Sequence, residues 1–103
     1  MRPRVRVDPL DEAFVLWPAP RRAVELRREG ADGELCRTRD RVALAAALLN
    51  DILVEPPTRK LARDYSRFLP TVRDAPVRIA VRDIDDWLQT WQPAIEGILR
   101  KLR

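Results

Sequence analysis

Residues 40–54 read DRVALAAALLNDILV and constrain the fold more than any other stretch. Val42, Leu44, Leu48, Leu49, Ile52 and Leu53 are apolar, and Ala43, Ala45, Ala46 and Ala47 fill the gaps between them. Alanine and leucine are strong helix formers, so propensity and pattern agree. A helix that is apolar on nearly every side must be covered on nearly every side. Asp40 suits the N-cap, because a carboxylate there accepts from the free backbone N–H groups of the first turn. Pro56 and Pro57 stop the helix, since a proline pushes the residue before it out of the α region. The run is too short to cross a bilayer, and Arg41 and Asp51 bracket it, which predicts a central core helix.

That helix needs partners, and the flanking sequence supplies them. Residues 1–37 are expected to be mainly β. Val5 and Val7 alternate with Arg4 and Arg6, Ala13 to Trp17 is a short apolar run, and Val24 and Leu26 alternate with charged neighbours. Gly30-Ala31-Asp32-Gly33 reads as a hairpin turn, with residues 34–37 returning as a strand that turns Leu35 inward. Residues 58–69 form an amphipathic helix capped by Thr58, with Leu61, Tyr65, Phe68 and Leu69 on its apolar face. Residues 77–82 alternate as a further strand. Asp83 is then expected to cap a C-terminal helical segment, residues 83–103. Ile84, Leu88, Trp91, Ile95, Ile98 and Leu102 keep one apolar stripe past Pro93, which predicts two helices with Pro93 in the first turn of the second. The expected fold is α+β: one domain over residues 1–103, with a small antiparallel sheet packed on the central helix and two or three further helices.

Composition narrows the function. The 103 residues suffice for one modest core. With 46% hydrophobic and 35% charged residues, the chain is of globular type. The absence of histidine removes the commonest general base and the commonest zinc ligand. It also removes every serine–histidine or cysteine–histidine nucleophile pair. No phosphate loop or metal motif is readable, so no catalytic residue, metal ligand or cofactor is assigned and no enzyme activity is expected. A single cysteine, Cys36, excludes an internal disulfide. Arg37, Arg39 and a helix start lie near it and could lower its pKa, but the favoured reading is a half-buried strand residue. With no signal peptide or transmembrane run, the expected setting is cytoplasmic and off the membrane.

Several residues recur in a known pattern. Val42 to Leu49 (VALAAALL), Tyr65-Ser66-Arg67-Phe68 and Asp83-Ile84-Asp85-Asp86-Trp87-Leu88 follow one another after a β-rich start. In this order the chain resembles a family of small uncharacterised proteins of bacteria, phages and plasmids. The likeness covers roughly the last two thirds of the sequence and stops near Leu88. Where that family carries a glycine-rich aromatic stretch, this chain has Cys36-Arg37-Thr38-Arg39-Asp40. The resemblance implies an α+β fold and a mobile-element setting, with no activity to transfer.

Two binding modes follow from the remaining residues. Trp91, Ile95, Ile98 and Leu102 form an apolar stripe that can anchor a protein partner, whose identity is unknown, or a second copy in a homodimer. On that reading the chain modulates or inhibits a host protein. The alternative is an accessory nucleic-acid binder. The net charge of +4 permits it, and Arg59, Lys60, Arg63 and Arg67 share one helix face, with Arg78 and Arg82 nearby. Asp83, Asp85 and Asp86 read as helix-start acids rather than cation ligands, because they lack the spacing and glycine turn of a metal loop.

Overall fold

The structure is a computed structural model and describes residues 3–6 and 11–91. Four strands, β1 (Ala13–Pro18), β2 (Val24–Arg28), β3 (Glu34–Thr38) and β4 (Val77–Ala80), form one antiparallel sheet in the order β3-β2-β1-β4. Three helices, α1 (Arg41–Ile52), α2 (Arg59–Ser66) and α3 (Val81–Thr90), all bury side chains in one cluster on one side of that sheet. This is the expected α+β architecture, with α1 against the sheet and α2 packed on α1.

The central helix forms as its sequence dictates. Asp40 caps it: its Oδ1 accepts from the backbone N–H of Val42 (2.9 Å) and of Ala43 (3.4 Å). Leu44, Ala45, Leu48, Leu49 and Ile52 are buried, and Asp51 pairs with Arg28 at the end of β2. That pair ties the last turn of α1 to the sheet. Thr58 caps α2 as expected, its hydroxyl accepting from Leu61 N–H at 3.1 Å.

Strand alternation decides which side chains meet α1. Phe14 and Leu16 of β1, Leu26 of β2 and Ile79 of β4 face the core. The cross-strand pairs Leu16↔Leu26 and Phe14↔Ile79 fix the register. Between β2 and β3 the register slips at Leu26 and Arg27. The slip makes Leu35 the extra residue of a bulge. Cys36, opposite the core residue Leu26, faces the core, and Leu35 is 41% exposed rather than inward.

Four further expectations are corrected. Residues 3–6 do not join the sheet. Val5 makes an isolated bridge to Leu53, with Arg6 N–H donating to Ile52 O and Val54 N–H donating to Arg4 O. The strand at 77–82 ends at Ala80, because Val81 already opens α3 and buries its side chain in the core. Ala80, without a side-chain hydrogen bond, takes the N-cap position, and Asp83 sits in the first turn. The helix expected over 58–69 ends at Ser66, so Phe68 falls beyond it and is 63% exposed. Of the helical segment expected over 83–103, the first helix ends at Thr90, ahead of Pro93, where Trp91 adopts an extended backbone. Pro93, Ile95, Ile98 and Leu102 lie outside the described residues.

Candidate functional site

The sheet has two faces, and among the described residues helices cover only one. Val15, Trp17, Glu25, Arg27, Arg37 and Arg78 alternate with core residues and so lie on the other face. Trp17 pairs across the strands with Glu25 and is 44% exposed. Leu35, turned away from α1 opposite to Cys36, adds a second exposed apolar side chain.

Ion pairs organise this face. Glu25 is buried and receives both Arg27 and Arg37. Arg37 also reaches Glu34 at 3.1 Å, and Arg78 pairs with Glu29 at 2.6 Å. The hydrogen bond from Arg27, aided by the charges of Arg27 and Arg37, holds the Glu25 carboxyl below its ordinary range against the opposing effect of burial. The result is a locally neutral, pre-ordered polar surround for Trp17.

The arginine face read from the sequence does not assemble as one patch. Arg59, Arg63 and Arg67 are exposed on or just beyond α2, but Lys60 pairs with Asp64 at 3.5 Å. Arg78 lies on the helix-free sheet face and pairs with Glu29, away from α2, and Arg82 lies 3.7 Å from Asp11.

Trp91 is half-buried and engaged internally. Its Nε1–H donates to Asp64 Oδ2 at 2.9 Å, and its ring packs against the core. It also lines a groove of about 170 Å³ with Pro3, Leu53, Val54, Pro56 and Leu61. The Trp91 hydrogen bond, ahead of the Lys60 charge, holds the Asp64 carboxyl low. Trp91→Phe is expected to raise the Asp64 titration toward the ordinary carboxylate value and to cost about 1 kcal/mol at neutral pH. The cost should vanish as pH falls through the carboxylate range, because the native bond is lost there as well. Carboxyl titration by NMR, with urea unfolding at two pH values, checks both.

The remaining candidates are placed as follows. Cys36 is the half-buried strand residue expected, and burial followed by the Glu34 charge pushes its thiol up, against the lowering that Arg37 and Arg39 would give a reactive thiol. Asp83, Asp85 and Asp86 take part in no metal-holding group of three His, Cys, Asp or Glu side chains among the described residues. Two surfaces escaped the sequence reading. Trp17 looked like an ordinary strand aromatic, and it is exposed on the sheet face that no helix among the described residues covers. Phe68 stacks on Trp87 at 5.4 Å between ring centres while remaining open to solvent.

No protein-family model, curated protein or solved structure matches the chain. No helix is long and apolar enough to cross a membrane among the described residues.

Proposed function

We propose that this chain is a non-enzymatic binding protein that docks another protein on the helix-free face of its sheet, with Trp17 as the anchor. The observation that carries the reading is an exposed tryptophan on a sheet face that no described helix covers. Tryptophan in a ring of polar neighbours is the residue type that concentrates binding energy at protein interfaces. The surrounding ion pairs are already made within the chain, so a partner meets fixed geometry and little net charge. The resemblance to small phage and plasmid proteins carries no activity of its own, and on the present reading the chain modulates or inhibits a host protein. Ile95, Ile98 and Leu102 of the predicted stripe lie outside the described residues and take no part in this proposal.

The immobilised native chain is expected to retain one host protein in a fixed ratio. Trp17→Ala should weaken that complex by about 2 kcal/mol or more, while Phe68→Ala leaves it unchanged. Melting curves confirm that both variants fold. Retention that survives Trp17→Ala overturns the proposal. Concentration-dependent sedimentation abolished by Trp17→Ala would instead make the partner a second copy of this chain.

A further inference from the structure

We infer that the end of the molecule where the β1–β2 hairpin, the lead-in to α1 and the loop at residues 70–73 converge is a binding site for the phosphodiester backbone of duplex nucleic acid. Its grips are Arg21, Arg22, Arg39 and Arg73.

The fold gathers Arg22, Arg39 and Arg73 from three distant segments into two linked clefts, with Arg21 beside them at the hairpin tip but outside both linings. The larger, about 530 Å³, is walled by Pro18, Ala23, Arg22, Val72 and Arg73. The smaller, about 150 Å³, shares Arg22 and Val72 and adds Thr38, Arg39, Arg41 and Thr71. Asp40 is the one acidic residue in either described lining, and its carboxylate is taken up in capping α1. Asp74 follows Arg73 but lies outside both linings. Arg41 is spent on the carbonyls of Ser66 and Leu69.

Elsewhere five arginines are neutralised. Arg27, Arg28, Arg37, Arg78 and Arg82 each pair with a carboxylate. Arg21, Arg22, Arg39 and Arg73 pair with none among the described residues. Arg4, Arg6, Arg59, Arg63 and Arg67 also lack such a pair among the described residues, but none of them lines either cleft. Like charges around a concave wall focus the field and favour an anion with several negative groups in a row.

The hairpin tip points the same way. Ala23 N–H donates to Pro20 O at 3.3 Å, which closes a turn whose two central residues are Arg21 (φ 61°) and Arg22 (φ 62°). A turn with both centres at positive φ favours Asn-Gly. Side chains with a Cβ are strained there, so the arginines are held against local preference, as residues at binding sites often are.

The lining selects the ligand. A guanidinium fork matches phosphate oxygens bidentately, and the Thr38 and Thr71 hydroxyls can donate to the same group. Neither described lining holds an aromatic ring to stack an unpaired base, which favours a duplex over a single strand. The guanidinium groups then meet the phosphates of the duplex backbone. This site is independent of the protein-docking face around Trp17.

Fluorescence anisotropy with a labelled DNA duplex across a salt series tests the site. Four phosphate contacts give an affinity that falls with a log–log salt slope of about −3 to −4. Arg22→Glu with Arg39→Glu is expected to weaken binding about tenfold or more and to flatten that slope by about 2. Arg63→Glu with Arg67→Glu changes the net charge equally and should leave the affinity nearly unchanged. Arg21→Asn with Arg22→Gly should melt higher yet bind more weakly, an opposition that loss of folding cannot mimic. The inference is overturned if the native chain fails to bind the duplex at low salt. It is also overturned if the α2 reversals abolish binding while the cleft reversals do not. Polyglutamate bound as tightly as the duplex would replace nucleic acid by an acidic protein, and tighter binding of a single strand would refute a duplex ligand.

Discussion

Leu48→Ala is expected to lower the unfolding free energy by about 2–5 kcal/mol. Leu48 is fully buried, in the middle of the helix that touches the sheet on one side and α2 on the other. Its neighbours on α1, Leu44, Ala45, Leu49 and Ile52, are buried too, so the truncated site has no surface residue that can collapse into the void. The loss is a large share of the roughly 5–15 kcal/mol that holds a domain folded. Urea unfolding should show a lower midpoint with an unchanged slope, because the surface exposed on unfolding is the same. Val54→Ala is the matched control. Val54 lies past the helix end and is 54% exposed, so its truncation should stay within about 0.5 kcal/mol. A Leu48→Ala effect as small as the control would show that α1 is not the centre of the core.

The reason the central helix was legible is that its signals are local. Asp40, the alanine–leucine run and the prolines after it lie within one stretch, and the backbone obeys them without reference to the rest of the chain. The strands were legible for the same reason, since alternation is written into neighbouring residues. What failed needed information from a second strand. Leu35 turns outward because the pairing sets its neighbour Cys36 opposite the core residue Leu26. The start of α3 moved because burying Val81 outweighed the better capping chemistry of Asp83.

Functional surfaces were less legible than the fold. The arginines read from the sequence were chosen by helical spacing, which sees only one element at a time. Arg22, Arg39 and Arg73 are far apart in sequence and meet only through the sheet topology and the return of the chain after α2. The prominence of Trp17 likewise depends on which sheet face the helices leave open. The strained backbone at Arg21 and Arg22 carried a faint sequence signal, because a short Pro-Arg-Arg connection between two strands leaves little alternative to a tight turn.

Above pH 10 the protein is expected to lose stability through Tyr65. Its ring is 4% exposed and packs on Trp87 at 5.0 Å between centres. Burial first, and the Asp83 charge second, push the phenol far above its ordinary value of 10.0. In the unfolded chain the phenol ionises from about pH 10, while in the folded protein it stays neutral. The folded state then binds more protons than the unfolded one, so stability is intact below pH 10 and falls above it. One such group removes about 1.4 kcal/mol for each pH unit until the folded protein itself ionises. Cys36 contributes with the same sign from a lower starting point, since its thiol is also raised above the ordinary 9.0. Tyr65→Phe keeps the buried ring and removes the proton, so its stability should hold above pH 10 apart from the Cys36 share, which Cys36→Ala subtracts. Urea midpoints from neutral pH into the alkaline range measure the difference between the native chain and Tyr65→Phe. That difference should grow steadily from pH 10; a constant difference would mean that the phenol ionises as freely folded as unfolded. Asp83→Asn removes the charge but not the burial, so it should shorten the pH range of the decline without abolishing it.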